Sequence, residues 1–337
     1  MTHGTKHIFN SAFQSARWLP EGHSQTLWRK FAGAEPVQQR RERVELNDGD
    51  FIDLDWSGSE SAVTDAGVPI VLIIHGLCGC SESSYVLALQ KELLHNNISS
   101  VVMNLRGCSG EVNRKAQAYH SGVSDDLAQV FQHLTENYPQ REFVTIGYSL
   151  GANVMLKWLG EVGARNEERA PIRAVAVSTP FTLALCSEAM LAGFSRLYGR
   201  YFTRRLLAEF QRKKQTFLRR GEQEELAILD ALDDTESIAS IWEFDDRITA
   251  PLHGFKSASD YYQQCSSINF LSDIKTETLL LQSHDDPMIP PAALPSADEI
   301  STAVHLELSQ RGGHVGFVAG LGKQWLEQRI LGFIVAP

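Results

Sequence analysis

The sequence predicts an α/β protein, a mainly parallel central sheet with helices on both faces. Two observations carry the prediction. Short, nearly continuous apolar runs recur along the chain, and stretches of helical periodicity separate one run from the next. Strands covered on both faces by crossover helices lose the alternation of half-exposed strands and read as such runs. A third observation places an antiparallel edge at the sheet's beginning: the first two strand-like segments flank an Asp-Gly turn instead of a helix.

In chain order, Arg43-Val44-Glu45-Leu46 and Phe51-Ile52-Asp53-Leu54-Asp55-Trp56 enclose Asn47-Asp48-Gly49-Asp50 and form the N-terminal edge hairpin. The buried runs are Val68 to Ile74, Ser99 to Met103, Phe143 to Ile146, Ala174 to Val177 and Thr278 to Leu281, with Val304 to Leu308 as a further strand. Helical patterns lie near Ser83 to Leu94, Val123 to Leu134, Gly151 to Leu159, Ala292 to Ile300 and Leu321 to Ile334. Such alternation implies right-handed crossovers within a single domain over residues 1–337. The rhythm fails once, between residues 180 and 271, where helical segments appear without a convincing buried strand. Leu183 to Leu191, Phe194 to Phe202 and Leu206 to Phe217 are rich in leucine and aromatic residues, which predicts a helical cap insertion with an apolar inner face; the alternative, expected for most of these residues, is packing on the outside of the sheet.

Composition narrows the function classes. The chain has 337 residues, 43% hydrophobic and 21% charged, which suits a globular domain with an insertion. A net charge of −10, with no basic stripe carrying interleaved aromatics, argues against nucleic acid as a partner. Arg40, Arg41 and Arg43, and the group Arg200, Arg204, Arg205, Arg212, Lys213 and Lys214, read as solvated faces. No apolar run approaches the roughly 18 to 20 residues of a membrane span, so no stable membrane insertion is expected. Met1 to Ser11 is polar and lacks an export signal's apolar core, which places the protein in the cytoplasm. Cys78, Cys80, Cys108, Cys186 and Cys265 are odd in number, lack metal-ligand spacing and read as reduced thiols.

The chemistry concentrates in Gly147-Tyr148-Ser149-Leu150-Gly151, at the junction of the strand run Glu142 to Ile146 and the helical stretch Ala152 to Leu159. A turn this sharp needs glycine at the flanking positions and projects the serine hydroxyl above the sheet. The Leu150 amide then lies at a helix N-terminus, where unpaired N–H groups favour a developing oxyanion. A serine nucleophile needs an imidazole to take its proton and a carboxylate to orient that imidazole, in the chain order Ser, acid, His. His284-Asp285-Asp286-Pro287 follows the run Thr278 to Ser283 and supplies Asp286 as the candidate acid, with Asp285 as its competitor. Arg311-Gly312-Gly313-His314-Val315-Gly316-Phe317 supplies His314, whose flanking glycines let the loop bend back toward the sheet. His75-Gly76-Leu77-Cys78-Gly79-Cys80, after the first buried run, supplies the Leu77 amide as second oxyanion donor. His75, Gly76, Tyr148 and Arg106 are candidate pocket residues.

Four further motifs accompany these: Trp18-Leu19-Pro20-Glu21-Gly22-His23-Ser24-Gln25-Thr26-Leu27; Asp48 to Phe51 with Asp53 to Trp56; Asn104-Leu105-Arg106-Gly107-Cys108-Ser109-Gly110; and Tyr119-His120-Ser121-Gly122. With them the chain resembles the α/β-hydrolase superfamily, and within it the YheT-like (AB hydrolase 4) group of esterases, related to eukaryotic abhydrolase-domain lipases and phospholipases. The resemblance covers nearly the whole chain. It implies Ser149, Asp286 and His314 as charge-relay residues and carboxylic-ester hydrolysis as the activity. Arg106 is expected either to touch an anionic group near the site or to pair with Asp125 or Asp126 as a strut. The Trp18 to Leu27 segment is expected either to cross the mouth of the site or to pack on the edge hairpin.

The reading is therefore a cofactor-free serine hydrolase acting on a small-molecule acyl ester, of short or medium chain or monoacylglycerol-like. A thioesterase or amidase with the same triad is the rival among enzymes, and a catalytically silent binding protein is the rival outside them.

Overall fold

In a computed structural model that describes residues 7–58, 67–232, 235, 237–320 and 324–336, the apolar runs become strands of one sheet. The strands are β1 (Ile8–Asn10), β2 (Arg40–Glu45), β3 (Phe51–Ser57), β4 (Ile70–Ile74), β5 (Ser100–Asn104), β6 (Phe143–Tyr148), β7 (Arg173–Val177), β8 (Glu277–Ser283) and β9 (Val304–Ser309). Their order is β1-β9-β8-β7-β6-β4-β5-β3-β2. Strands β4 to β9 pair in parallel, while β2 and β3 form an antiparallel hairpin whose inner strand also runs antiparallel to β5. Gly49, at φ 83°, takes the left-handed position of the hairpin turn.

Helices α1 (Gly22–Phe31), α2 (Ser84–His95), α3 (Ser124–Asn137) and α4 (Leu150–Arg165) precede β7. Beyond it come α5 (Leu183–Ala189), α6 (Arg196–Arg220), α7 (Gln223–Asp230), α8 (Ile241–Phe244), α9 (Ala250–Leu252) and α10 (Ala258–Cys265), and α11 (Trp325–Ile334) ends the chain. Alternate residues of the strands serve opposite faces: Ile70, Leu72 and Ile74 join the core under α3 and α4, while Val71 and Ile73 join the one under α2 and α11. Both faces are apolar, which is why the runs lack alternation.

The sheet has its switch point at β4, from which the chain steps to β5 on one side and crosses back to β6 on the other. Open α/β sheets bind ligands outside the carboxyl ends of the strands at such a point. Here the exits of β4 and β6 bring Gly76 and Ser149 together.

Several elements differ from the sequence reading. Ala292 to Ile300 is not a helix: a single 3-10 turn, Pro291–Ala293, gives way to an extended Leu294. The residue before a proline is biased away from helical angles, and Pro295 follows Leu294. Arg196 to Phe202 and Leu206 to Phe217 fall on one continuous helix, α6, because nothing between them breaks it, and Phe194 lies just before it; Gly221 at φ 72° ends the helix. Strand β1, parallel to β9, and helix α1 were not anticipated. The expected terminal helix begins at Trp325, and residues 321–323 lie outside those described. No described helix is long and apolar enough to cross a membrane.

The described part of the segment from 180 to 271 holds helices joined by turns and no strand. Phe210 and Phe217 of α6, Leu229 of α7 and Phe244 of α8 pack on Val112 and Ala116 of the loop after β5. Arg106, in that same loop, donates to Asp126 at 2.7 and 2.6 Å, to Asp48 at 2.5 Å and to Asp50 at 3.2 Å. It thus ties the hairpin turn to the N-terminal turn of α3.

Two glycine substitutions should have opposite signs in chemical denaturation. A Cβ on Gly163 would lie 1.9 Å from the Asp273 carbonyl oxygen, whereas one on Gly332 meets nothing within 4 Å. Gly163→Ala should destabilise by about 1–3 kcal/mol or more through overpacking. Gly332→Ala should stabilise by about 0.5–1 kcal/mol through helix propensity and unfolded-state entropy.

Candidate active site

Strand β6 delivers Ser149 to the rim of the sheet at φ 52°, ψ −121°, a conformation L-residues rarely adopt. Such strain costs about 1–3 kcal/mol and persists only where surrounding structure over-determines it. The Ser149 N–H donates to the Val177 carbonyl at 2.8 Å, and the Ser149 carbonyl accepts from the Ala152 and Asn153 amides at 3.0 and 3.1 Å. The flanking glycines are required by contact as well as by the turn. A Cβ on Gly147 would sit 2.5 Å from the Ala152 Cα, and one on Gly151 would sit 2.3 Å from the His75 carbonyl oxygen.

The Ser149 Oγ lies 2.8 Å from His314 Nε2, and His314 Nδ1 lies 2.8 Å from Asp286 Oδ2. Asp286 is buried. Its Oδ1 accepts from the Met288 and Ile289 amides at 2.9 and 3.2 Å, so the turn after Pro287 holds the carboxylate in place. Asp285 faces elsewhere: its Oδ1 accepts from the Gly313 amide at 2.9 Å and anchors the histidine loop. The two adjacent carboxylates therefore have different partners, one the imidazole and one the backbone beside it.

The histidine loop is itself held against strain. Val315 and Phe317 have φ values of 55° and 46°. The Val315 amide donates to Ser178 Oγ at 2.9 Å, and Ser283 Oγ donates to the Gly313 carbonyl at 2.9 Å. The Trp18 to Leu27 segment supplies the remaining support. Thr26 Oγ1 accepts from the His314 amide at 2.8 Å, and Gln25 Oε1 accepts from the Val318 amide at 2.7 Å. Gly22 packs so closely that a Cβ there would lie 1.9 Å from the Asp285 carbonyl oxygen. The segment thus neither crosses the mouth nor packs on the hairpin; it braces the loops that carry His314 and Asp285 from outside. Thr26, Gln25, Gly22, Ser178 and Ser283 were not identified from sequence. The Trp18 to Leu27 motif was visible, but its docking partner lies almost 300 residues away, as the 288-residue separation of Thr26 and His314 shows.

On the other side of Ser149, a Cβ on Gly76 would lie 3.1 Å from the Ser149 Cβ, so the loop after β4 borders the serine directly. The Leu150 amide opens helix α4. Among the described residues neither it nor the Leu77 amide donates a hydrogen bond. Neither amide is therefore spent on holding the fold. The loop is shaped from beneath: the Gly76 amide donates to the Tyr85 hydroxyl at 2.9 Å and the Cys78 amide to the Tyr119 hydroxyl at 3.0 Å. Tyr119 also walls a recess of about 70 Å³, lined by Ala116, Leu206, Phe210 and Leu252, between the loop after β5 and helix α6.

The remaining pocket candidates occupy structural positions. Tyr148 is fully buried, its ring 4.7 Å from that of Tyr85. Arg106 is the four-contact strut described above, paired with Asp126 and the hairpin acids, and it also lines the recess beside Tyr119. His75 is also fully buried. Its Nε2 accepts from the Leu105 amide at 3.1 Å, which leaves the proton on Nδ1 to be donated to the Gly76 carbonyl at 2.8 Å. Burial pushes its pKa down to about 4. All five cysteines are free thiols, and burial raises the Cys78 thiol to about 12.

His75 makes the loop acid-sensitive. The unfolded imidazole takes up its proton near pH 6.5, while the folded one resists until about pH 4. The native-state advantage is therefore intact above pH 6.5 and is lost as pH falls to about 4, on the order of 3 kcal/mol in all. His75→Gln should show a shallower fall in urea midpoint across that window than the unaltered chain.

Comparison with known proteins places this geometry. Residues 69–321 match the family model described as the alpha/beta hydrolase fold. The chain is 38% identical to YheT of Escherichia coli, an esterase by assignment, over 86% of this chain and 82% of that one. It is 31% identical to human phospholipase ABHD3 over 93% of this chain and 75% of that one. The Pyrococcus furiosus esterase Pf2001 shares the fold, with a TM-score of 0.55 and 16% identity over 99% of this chain and 98% of that one. On the length of the family match and the level of these identities, the chain belongs to the α/β-hydrolase fold family.

Proposed function

We propose that the protein is a serine carboxylic-ester hydrolase, with Ser149 as nucleophile, His314 as general base and acid, and Asp286 as the residue that orients His314. The observation that carries this reading is the unbroken hydrogen-bond chain Ser149–His314–Asp286. The family membership supports it, as do relatives named esterase and phospholipase.

The mechanism follows from the atoms. As Ser149 Oγ attacks the ester carbonyl carbon, its proton passes to His314 Nε2 and the carbonyl oxygen becomes an anion that accepts from the Leu77 and Leu150 amides. Asp286, hydrogen-bonded to Nδ1, stabilises the imidazolium. Collapse of the tetrahedral species breaks the bond to the alkoxy oxygen, which takes the Nε2 proton and leaves as alcohol. Water then loses a proton to Nε2, attacks the acyl-enzyme and regenerates Ser149 with release of the carboxylic acid. This sequence uses no cofactor.

Helices between residues 180 and 271 act in this reading as a cap over the carboxyl ends of the strands. The recess beside Tyr119 accommodates the acyl chain, since Tyr119 touches both it and the oxyanion loop. At about 70 Å³ the recess is small, which favours short acyl groups. The substrate is a small acyl ester or a monoacylglycerol-like lipid, handled in the cytoplasm.

A fluorophosphonate probe should label Ser149 in the folded protein and fail on Ser149→Ala; labelling that survives the substitution would defeat the assignment. Asp286→Asn should lower kcat by about 10⁴ through loss of the correct imidazole tautomer. Asp285→Asn, acting only through the Gly313 amide, should cost far less. Among p-nitrophenyl esters of increasing length, run beside matched thioesters and amides, Leu206→Trp should shift preference toward shorter acyl groups. An unchanged length profile would remove the recess from the acyl path.

A further inference from the structure

One face of the molecule is aromatic, exposed and rimmed by cations, and neither folding nor the chemistry at Ser149 accounts for it. Helix α1 turns Trp28 and Phe31 outward, Phe31 at 75% exposure, and the chain before α6 does the same with Phe194 at 51%. Leu197 and Tyr201 continue the patch along α6. The pieces touch one another. Trp18 meets Trp28 edge-on at 4.6 Å, the Lys30 ammonium sits 3.5 Å from the centre of the Tyr201 ring, and His23 lies 4.6 Å from Phe194. A contiguous exposed apolar patch rimmed by polar groups marks an interaction surface.

The charge on this face identifies what it meets. The whole chain carries a net −10, yet α6 holds nine arginines and lysines against one glutamate. Arg200, Arg204 and Arg205 flank Leu197 and Tyr201 along a shallow groove of about 420 Å³. Among the described residues Arg200 and Arg204 make no hydrogen bond or ion pair, so their charge is directed at solvent. Tryptophan, tyrosine and phenylalanine beside the unpaired Arg200 and Arg204 and the ring-stacked Lys30 suit the zone where acyl chains meet anionic headgroups. An acidic protein would be repelled by such a surface except through this face, so the asymmetry fixes its orientation.

We propose that the face formed by α1 and the N-terminal half of α6 docks peripherally on an anionic phospholipid bilayer. It lies beside the site: Thr26 of α1 holds the His314 amide, and Ser195, just before α6, donates to the Pro287 carbonyl in the acid loop at 2.5 Å. If the ester-hydrolase reading above holds, a docked molecule presents Ser149 to esters partitioned in the bilayer; the docking itself does not depend on that reading.

The test is co-sedimentation of the full chain with phosphatidylcholine vesicles and with vesicles carrying phosphatidylglycerol, at low and high salt. Binding should be confined to the anionic vesicles, fall at least tenfold at high salt, and shift tryptophan emission to the blue. Arg200→Glu with Arg204→Glu, and separately Phe31→Ser with Leu197→Ser, should each weaken it at least tenfold while retaining circular dichroism and hydrolysis of a water-soluble p-nitrophenyl ester. Ser149→Ala should bind vesicles like the unaltered chain, so failure of the hydrolase reading and failure of docking are separable. Absence of binding to anionic vesicles at low salt, or equal binding by the charge-reversed variant, overturns the proposal. So does a dimer in solution that the Phe31→Ser, Leu197→Ser variant converts to monomer, for the patch is then covered by a second copy.

Discussion

The arrangement at the rim of the sheet depends on backbone held in the left-handed region at residues that are not glycine. Ser149, Ser178, Val315 and Phe317 all have φ between 46° and 55°. Each is costly alone, and they are cross-linked: the Ser149 amide bonds to Val177, the Ser178 amide to Leu281 and the Val315 amide to the Ser178 side chain. The sheet ladder from β6 through β7 to β8 thus continues one step beyond its last regular residues, and that step positions both Ser149 and the loop carrying His314. Buried, close-packed strands on both faces supply the rigidity that makes the strain tolerable.

How legible this was follows the range of the forces involved. The strands between Ile70 and Leu281 are readable because each must be apolar on two faces, a local property. The glycines around Ser149 are readable because a strand-to-helix turn imposes them locally. The pairing of Asp286 with His314, rather than Asp285 with His314, turns on which carboxylate receives the Met288 and Ile289 amides, and the sequence offered only proline placement as a guide. Strand β1 was not readable, since three residues carry no period, and its pairing with β9 spans the length of the chain. The false helix at Ala292 to Ile300 arose from apolar spacing that ignored the proline constraint on Leu294.

Helix α6 illustrates how a correct composition can conceal architecture. Its basic residues read as a solvated face, and most are; Lys213 is the exception. Its ammonium donates to the carbonyls of Lys115, Ala116 and Gln117 at 2.8, 3.1 and 2.7 Å, and burial pulls its pKa down to about 7. That single residue, with Phe210 and Phe217, fastens the helix to the loop after β5. The arginines at its other end are left unneeded for folding.

Helix α1 explains why the surface and the rim cannot be treated separately. Its buried positions are Gly22, Gln25 and Thr26, spaced three and four apart, and each meets backbone of the histidine or acid loop. A backbone-facing contact surface calls for small or hydrogen-bonding side chains, so the helix turns a polar stripe inward. The usual amphipathic rule is inverted: Trp28 and Phe31 face solvent while glutamine and threonine are buried. A periodicity search for apolar inward faces passes over such a helix. The same inversion means that α1's aromatic residues contribute little to the core, and that ten residues link the exposed face to the amide of His314 through one rigid element.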